Sequence, residues 1–136
     1  MSGGLCFPLY ACSREIIKRY TPFLEKIDLT YTQYIAMMVL WGKKQISVKE
    51  LGKCLFLDSG TLTPLLKKLE QKGYVTRTRS EEDERVLIAA ITPKGEDLKD
   101  EAVLIPQKMM ACAALSQEKA AQLYTLLYEL LNTLEK

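Results

Sequence analysis

Leu62, Leu65, Leu66 and Leu69 recur at the i, i+3, i+4, i+7 spacing of one helix face, and shortly after them, at Gly73, the period changes. Tyr74-Val75-Thr76-Arg77-Thr78-Arg79 alternates as a strand does, Ser80 to Arg85 forms a polar tip, and Val86 to Ile91 is an apolar return strand. A helix that stops at a glycine and runs at once into a hairpin has few ways to fold. Its leucines must lie on a core, and the hairpin must project beside them. Upstream, Val48 to Leu55 reads as a short helix carrying Val48, Leu51 and Leu55, with Gly52 allowing close packing and Phe56-Leu57-Asp58 as the turn. Two short helices joined by a tight turn and followed by a hairpin make a winged helix-turn-helix pattern.

The face opposite the leucines carries Thr61, Thr63, Lys67 and Lys68, with Gly60 and Pro64 between them. Hydroxyls and bare backbone near the start suit a helix led by Ser59, Thr61 and Thr63 into the major groove of double-stranded DNA. The lysines would reach phosphates. An ordinary solvated helix face has the same pattern, and the wing is what favours the groove. Arg77 and Arg79 share one face of the strand and are expected to serve phosphates or groove edges. The acidic tip suits DNA poorly except through Arg85. Asp83 can orient that guanidinium by a charge-assisted hydrogen bond and leave it to probe a minor groove. With Asp58 at the head of the helix, these residues form the expected nucleic-acid interface. Pro64 leaves one question open. It removes a backbone donor and should clash with the Gly60 carbonyl if the helix starts at Ser59. Either that first turn is distorted, or Thr63 caps a shorter helix with Pro64 at its first position.

The flanks are helical. Cys6 to Tyr20 is expected as a first helix with a stripe of Leu5, Leu9, Cys12, Ile16 and Tyr20, ended by Thr21-Pro22. At the next start, Thr30 and Gln33 fit a capping box and Leu29 with Tyr34 a hydrophobic staple; that helix should run to Trp41 and stop at Gly42. Thr92-Pro93 supplies a cap and a first-position proline for a helix running to about Ala111, kinked at Pro106. Leu115-Ser116 starts a last helix, with Ala120, Leu123, Tyr124, Leu127, Leu131 and Leu134 along one side. A small winged-helix core does not need so much apolar surface, so the end helices are expected to form a dimer interface. The expected fold is mainly α with a small β-hairpin wing. It is a single domain, 1–136, in which 30–92 form the winged helix-turn-helix and 1–29 and 93–136 the N- and C-terminal dimerisation helices.

The totals exclude more than they assign. The chain has 136 residues, 48% of them hydrophobic, and a formal charge of +2, so any basic surface must be local. No signal-peptide pattern or membrane-length apolar run is evident, and a cytoplasmic protein without a membrane partner is expected. The four cysteines, Cys6, Cys12, Cys54 and Cys112, are widely spaced in a chain with no histidine, which argues against a structural metal. With no Cys-x-x-Cys and no cofactor loop, neither an enzyme nor a bound cofactor is expected. Cys6 falls near a helix N-terminus, where free N–H groups favour a thiolate. Cys12 lies about 9 Å further along the helix, beyond disulfide reach, and reads as a small core residue. Cys54 is expected to be packed.

The order of these elements over almost the whole chain resembles the MarR family of bacterial regulators, above all in Asp83-Glu84-Arg85 followed by Thr92-Pro93-Lys94-Gly95. The likeness is closer to the organic hydroperoxide resistance regulator (OhrR) branch. It is carried by Leu5-Cys6-Phe7, Tyr10 to Glu15, Leu29 to Tyr34 and Leu57 to Glu70. The resemblance implies a homodimeric repressor that releases a pseudo-palindromic operator when Cys6 is oxidised by an organic hydroperoxide or a related oxidant. It places Tyr20 and Tyr31 as hydrogen-bond donors to the thiolate across the dimer, with Tyr10 near them. Some members finish the chemistry with a low-molecular-weight thiol. Others use a second cysteine near the end of the penultimate helix, where Cys112 stands, and this implies an intersubunit Cys6–Cys112 disulfide. The resemblance also favours the longer helix from Ser59. A rival within the family is a regulator controlled by a small phenolic or aromatic effector, with the cysteines incidental.

Overall fold

The computed structural model describes residues 4–112 and 115–134, without the side chains of 110–112. It divides into two compact units, Met1–Ile105 and Pro106–Lys136. The first contains α1 (Cys6–Glu25), α2 (Tyr31–Lys43), β1 (Gln45–Ser47), α3 (Val48–Leu55), α4 (Ser59–Gln71), β2 (Val75–Arg79), β3 (Leu87–Ile91) and α5 (Pro93–Ala102). Helix α6 (Ile105–Cys112) begins at the boundary, and α7 (Gln117–Leu134) fills the second unit.

Helix α2 is the centre of the first unit. Thr30 accepts from the Gln33 amide and the Gln33 side chain accepts from the Thr30 amide, so the expected capping box is present. Ala36, Met37 and Leu40 are fully buried along it, joined by Leu51 of α3, Leu62, Leu66 and Leu69 of α4, and Val75 and Ala89 of the sheet. Each fully buried leucine contributes about 1.5–3 kcal/mol. That sum decides the length of α4. An interior proline costs roughly 3 kcal/mol, and three such leucines outweigh it, so the helix starts at Ser59 and runs through Pro64.

The α3–α4 turn depends on Gly52. A Cβ there would lie 3.0 Å from the Leu57 carbonyl oxygen, which allows the close approach that the sequence suggested. Phe56 ends α3 in the left-handed region, at φ 55°, and the Leu57 amide donates back to Gly52.

Several boundaries differ from expectation. Pro22 does not end α1, which continues to Glu25. Leu24 is buried and anchors that last turn, and the Thr21 hydroxyl donates to the Ile17 carbonyl. The real stop is Asp28, in the left-handed region, with the Leu29 amide returning to Leu24. Gly42 lies inside α2, and Lys44 with positive φ ends it. Strand β1 was not foreseen. Its three residues pair with β3 to give a sheet of order β1-β3-β2, with Ile46 opposite Ala89. The expected continuous helix to Ala111 is instead broken at Val103–Leu104, because Pro106 cannot donate to Ala102 and sits in the first turn of α6.

Cys12 and Cys54 are both exposed, contrary to the packed positions expected for them. For Cys12 the reason is general to its helix. Leu5, Leu9 and Ile16 of the same stripe are exposed too, and of the stripe only Tyr20 packs, against Tyr31 and Tyr34. In the second unit, α7 starts after Leu115-Ser116 as expected, and Ser116 caps it by accepting from the Lys119 amide. Leu123, Tyr124, Leu126, Leu127 and Tyr128 of α7 are exposed, and no described residue of that helix is buried.

Candidate nucleic-acid interface and thiol site

Asp58 opens α4 by accepting a hydrogen bond from the Thr61 amide at 2.8 Å. This bond to the ionised form holds the Asp58 carboxyl below its ordinary value. A lowered folded-state value stabilises the fold above the unfolded value of 3.8, and the contribution is lost as pH falls through the folded one. Asp58→Ala should therefore lower the melting temperature by about a few degrees at neutral pH, and the gap to wild type should narrow in acid. Thermal melts with Asp58→Asn as a cap-retaining control check this; a gap of unchanged size at pH ~2 would remove the carboxylate's charge from the account.

Ser59, Gly60, Thr61, Thr63, Pro64, Lys67 and Lys68 are all exposed on one side of α4, while its leucines are buried. Thr61, Pro64 and Lys68 also wall an open cleft of about 280 Å3 whose other side is Thr30, Thr32 and Gln33 of the α2 start. Those α2 hydroxyls were missed by sequence reading, since a capping box looks the same whether or not it faces a second helix.

The far end of α4 is fixed by three side chains whose bonds to it sequence reasoning did not foresee. Lys72 donates to the Asp28 carbonyl and to the Gln33 side-chain oxygen, the latter at 3.0 Å. Gln33 is buried, and that oxygen also completes the capping box. Lys94 donates to the Lys72 carbonyl at 2.9 Å, with its ammonium 5.4 Å from the Tyr74 ring centroid. Thr92 caps α5 through the Gly95 amide and also donates to the Gly73 carbonyl. Only a spacing signal between distant cations and helix ends could have found these bonds, and no such signal is local.

In the wing, the two expected arginines part company. Arg79 is exposed, whereas the Arg77 side chain is 17% exposed and its Nη2 lies 3.1 Å from a Glu70 carboxylate oxygen. At the tip, Asp83 accepts from the Arg85 amide and takes two further bonds from its guanidinium, at 3.1 and 3.3 Å. These bonds pull the Asp83 carboxyl below its usual range. The Arg85 side chain nevertheless remains 90% exposed, oriented but unspent.

Cys6 is the first residue of α1 and is exposed, and no side chain caps that helix. Tyr10 is exposed one turn on, with the Arg14 guanidinium 5.6 Å from its ring centroid. Tyr20, Tyr31 and Tyr34 form a separate cluster. Tyr20 and Tyr31 meet edge-on at 5.2 Å, and Tyr20 and Tyr34 at 5.9 Å between ring centroids. Burial raises the Tyr20 and Tyr31 phenols, and burial with the neighbouring phenols pushes Tyr34 up to about 12. All three hydroxyls thus stay protonated, as donors to an anion must. Cys6 and Tyr20 lie on the same helix, about 21 Å apart along its axis, so the Cys6 thiol does not reach these phenols within its own chain. Cys112 closes α6, and its side chain falls outside the described residues. Among the described residues, no cluster of three or more metal-ligating groups occurs, and no helix is long and apolar enough to cross a membrane.

The profile described as "Transcriptional regulator SarA/Rot" matches residues 18–102. The organic hydroperoxide resistance transcriptional regulator of Bacillus subtilis (strain 168) is 49% identical over 136 residues, covering 100% of this chain and 92% of that protein. The structure of reduced AbfR bound to DNA superimposes with a TM-score of 0.80 at 31% identity, covering 97% of this chain and 92% of that one. Disulfide-formed AbfR gives 0.67 at 32% identity, covering 96% and 86%; AbfR is a protein of Staphylococcus epidermidis. With its wing, its capped helix α4 and these relatives, the chain belongs to the SarA/Rot-type winged-helix transcriptional regulators, alongside the organic hydroperoxide resistance regulators.

Proposed function

We propose that this protein is a dimeric, thiol-sensing repressor that lets go of its operator when Cys6 is oxidised by an organic hydroperoxide. The observation that carries the reading is the pairing of an exposed Cys6 at an uncapped helix start with a cluster of protonated phenols that it can meet only between copies. AbfR, a relative above 30% identity, has been seen reduced on DNA and in a disulfide form, which supports the same cycle here. The unfilled apolar faces of α1 and α7 support a homodimer.

In the first step the Cys6 sulfur attacks the peroxide, an S–O bond forms, the O–O bond breaks, and the departing alkoxide takes a proton to become the alcohol. The resulting sulfenic acid condenses with a second thiol, releasing water as the S–S bond forms. Cys112 of the other subunit is that thiol in this reading, with a low-molecular-weight thiol as the substitute. Tyr20 and Tyr31 donate to the sulfur, with Tyr10 beside them.

On DNA, Ser59, Thr61 and Thr63 of each α4 enter successive major grooves. Lys67 and Lys68 serve phosphates, and Arg79 and Arg85 follow the wing. Arg85→Ala should weaken binding about tenfold and reduce the salt slope by about one, because a released guanidinium returns one counterion. Titrations at several salt concentrations check this, and an unchanged affinity and slope would refute the role.

The whole reading is tested by titrating the protein onto a duplex it has selected from a randomised pool, before and after stoichiometric cumene hydroperoxide, with non-reducing gels run alongside. Loss of the complex with a dimer band on the gel is expected. A complex that survives oxidation would overturn the sensing mechanism, and a persistent monomer band would remove Cys112 from it.

A further inference from the structure

Arg77 and Glu70 sit on either side of the connection between α4 and β2, and that connection is already tight. The Gly73 amide donates to Glu70 and the Tyr74 amide to Leu69, each at 3.0 Å. Across it, the 3.1 Å ion pair joins the last turn of the helix to the middle of the strand. On β2 the inward positions run Val75, Arg77, Arg79, from buried apolar to exposed cation, and Arg77 lies opposite the fully buried Ala89 of β3. The small side chain of Ala89 leaves room for the arginine stem over the edge of the core. The Arg77 Nε–H is buried without a hydrogen-bond partner, so the guanidinium is held where the ion pair places it rather than where its own donors would be best satisfied.

We propose that the Arg77–Glu70 pair is a strut that sets the angle of the wing to the reading helix, making Arg77 a positioning residue for operator recognition and not a phosphate ligand. This rests on the DNA-binding reading above and divides its arginines by task. Arg79 and Arg85 are exposed and available to DNA. Arg77 is mostly buried and already spends its Nη2 on Glu70. A strut and a ligand leave different signatures. Losing a phosphate ligand weakens binding to all duplexes alike and lowers the salt slope by about one. Losing a strut uncouples two reading elements, which hurts the matched site most and leaves the counterion count unchanged. The acid is the sharper probe. Glu70 carries negative charge beside a surface meant for DNA, so simple electrostatics predicts tighter binding when it is neutralised, and the strut predicts weaker binding.

The test uses the full-length protein, a duplex selected by the wild type from a randomised pool, and an unrelated duplex of equal length. Arg77→Ala and Glu70→Gln should each lower affinity for the selected duplex by about tenfold, with unrelated-duplex affinity and salt slope unchanged. The charge-swapped double variant, E70R with R77E, should recover most of the loss. Arg79→Ala serves as the phosphate-type contrast. Equal losses on both duplexes with a shallower salt slope for Arg77→Ala, or tighter binding by Glu70→Gln, would overturn the proposal. If the wild type itself shows no duplex preference, the DNA-binding reading fails. The strut is then judged by thermal melts alone, where additive shifts from the two single variants would overturn it as well.

Discussion

A Cys6→Ser protein is expected to bind the selected duplex within about twofold of wild type and to keep it through a hydroperoxide dose that costs the wild type more than about tenfold in affinity. The first half follows from position. Cys6 is exposed at the first turn of α1, so removing its sulfur opens no cavity, and serine is at home at a helix start. The second half follows from chemistry. A serine hydroxyl does not attack an O–O bond under these conditions, so no sulfenic acid forms and no disulfide can follow. The companion variant Cys112→Ser should still form the sulfenic acid, detectable by mass, without a dimer band on a non-reducing gel. Release that persists in Cys6→Ser would sink the assignment, and the exposed Cys12 and Cys54 would then be the thiols to test.

Gly95→Ala should be among the most damaging single-methyl additions the chain can suffer. A Cβ at that position would stand 2.4 Å from the Tyr74 carbonyl oxygen and 2.9 Å from Ile91 Cγ1. Neither neighbour can yield easily. The Tyr74 carbonyl accepts from the Thr92 amide at 3.0 Å, and Ile91 is tied to Lys44 through its own amide. Moving Gly95 instead would stretch the buried bond by which the Trp41 indole donates to its carbonyl, 2.8 Å long. A loss on the order of 3 kcal/mol is expected, or roughly 10 °C in melting temperature. Calorimetry on the purified variant decides it, and a midpoint within about 1 °C of wild type would show that the joint is softer than its geometry implies.

Helix α4 and the wing were legible because their signals are local. The leucine spacing, the period change at Gly73 and the Thr92-Pro93 start each need only a few neighbouring residues, and all appear where expected. Pro22 misled because a proline's cost is local while its compensation, the buried Leu24, depends on the tertiary fold. Strand β1 was invisible because three residues give no period, and only its pairing with β3 makes it a strand. At the candidate site, Thr61, Thr63 and the lysines were placed on the exposed face by periodicity alone. The Arg77–Glu70 pair was not foreseen, since alternation assigns Arg77 to a face without saying what waits there. The thiol site is legible in only one respect. Sequence puts Cys6 at a helix start, and its separation from Tyr20 along α1 rules out an intrachain site.

The stretch Thr92-Pro93-Lys94-Gly95 follows the wing segment Asp83-Glu84-Arg85 in the chain's most recognisable motif, and every one of its four residues is occupied inside the fold. Thr92 holds Gly73 and caps α5, Pro93 starts that helix, Lys94 ties down the Lys72 carbonyl, and Gly95 receives Trp41. It is a hinge-pin, and a hinge-pin is indifferent to what turns the door. A descendant of this chain could change how it is controlled, and the same four residues would still hold α4 and the start of α5 against the sheet. A search by those residues would gather chains that share a joint, whatever each of them answers to.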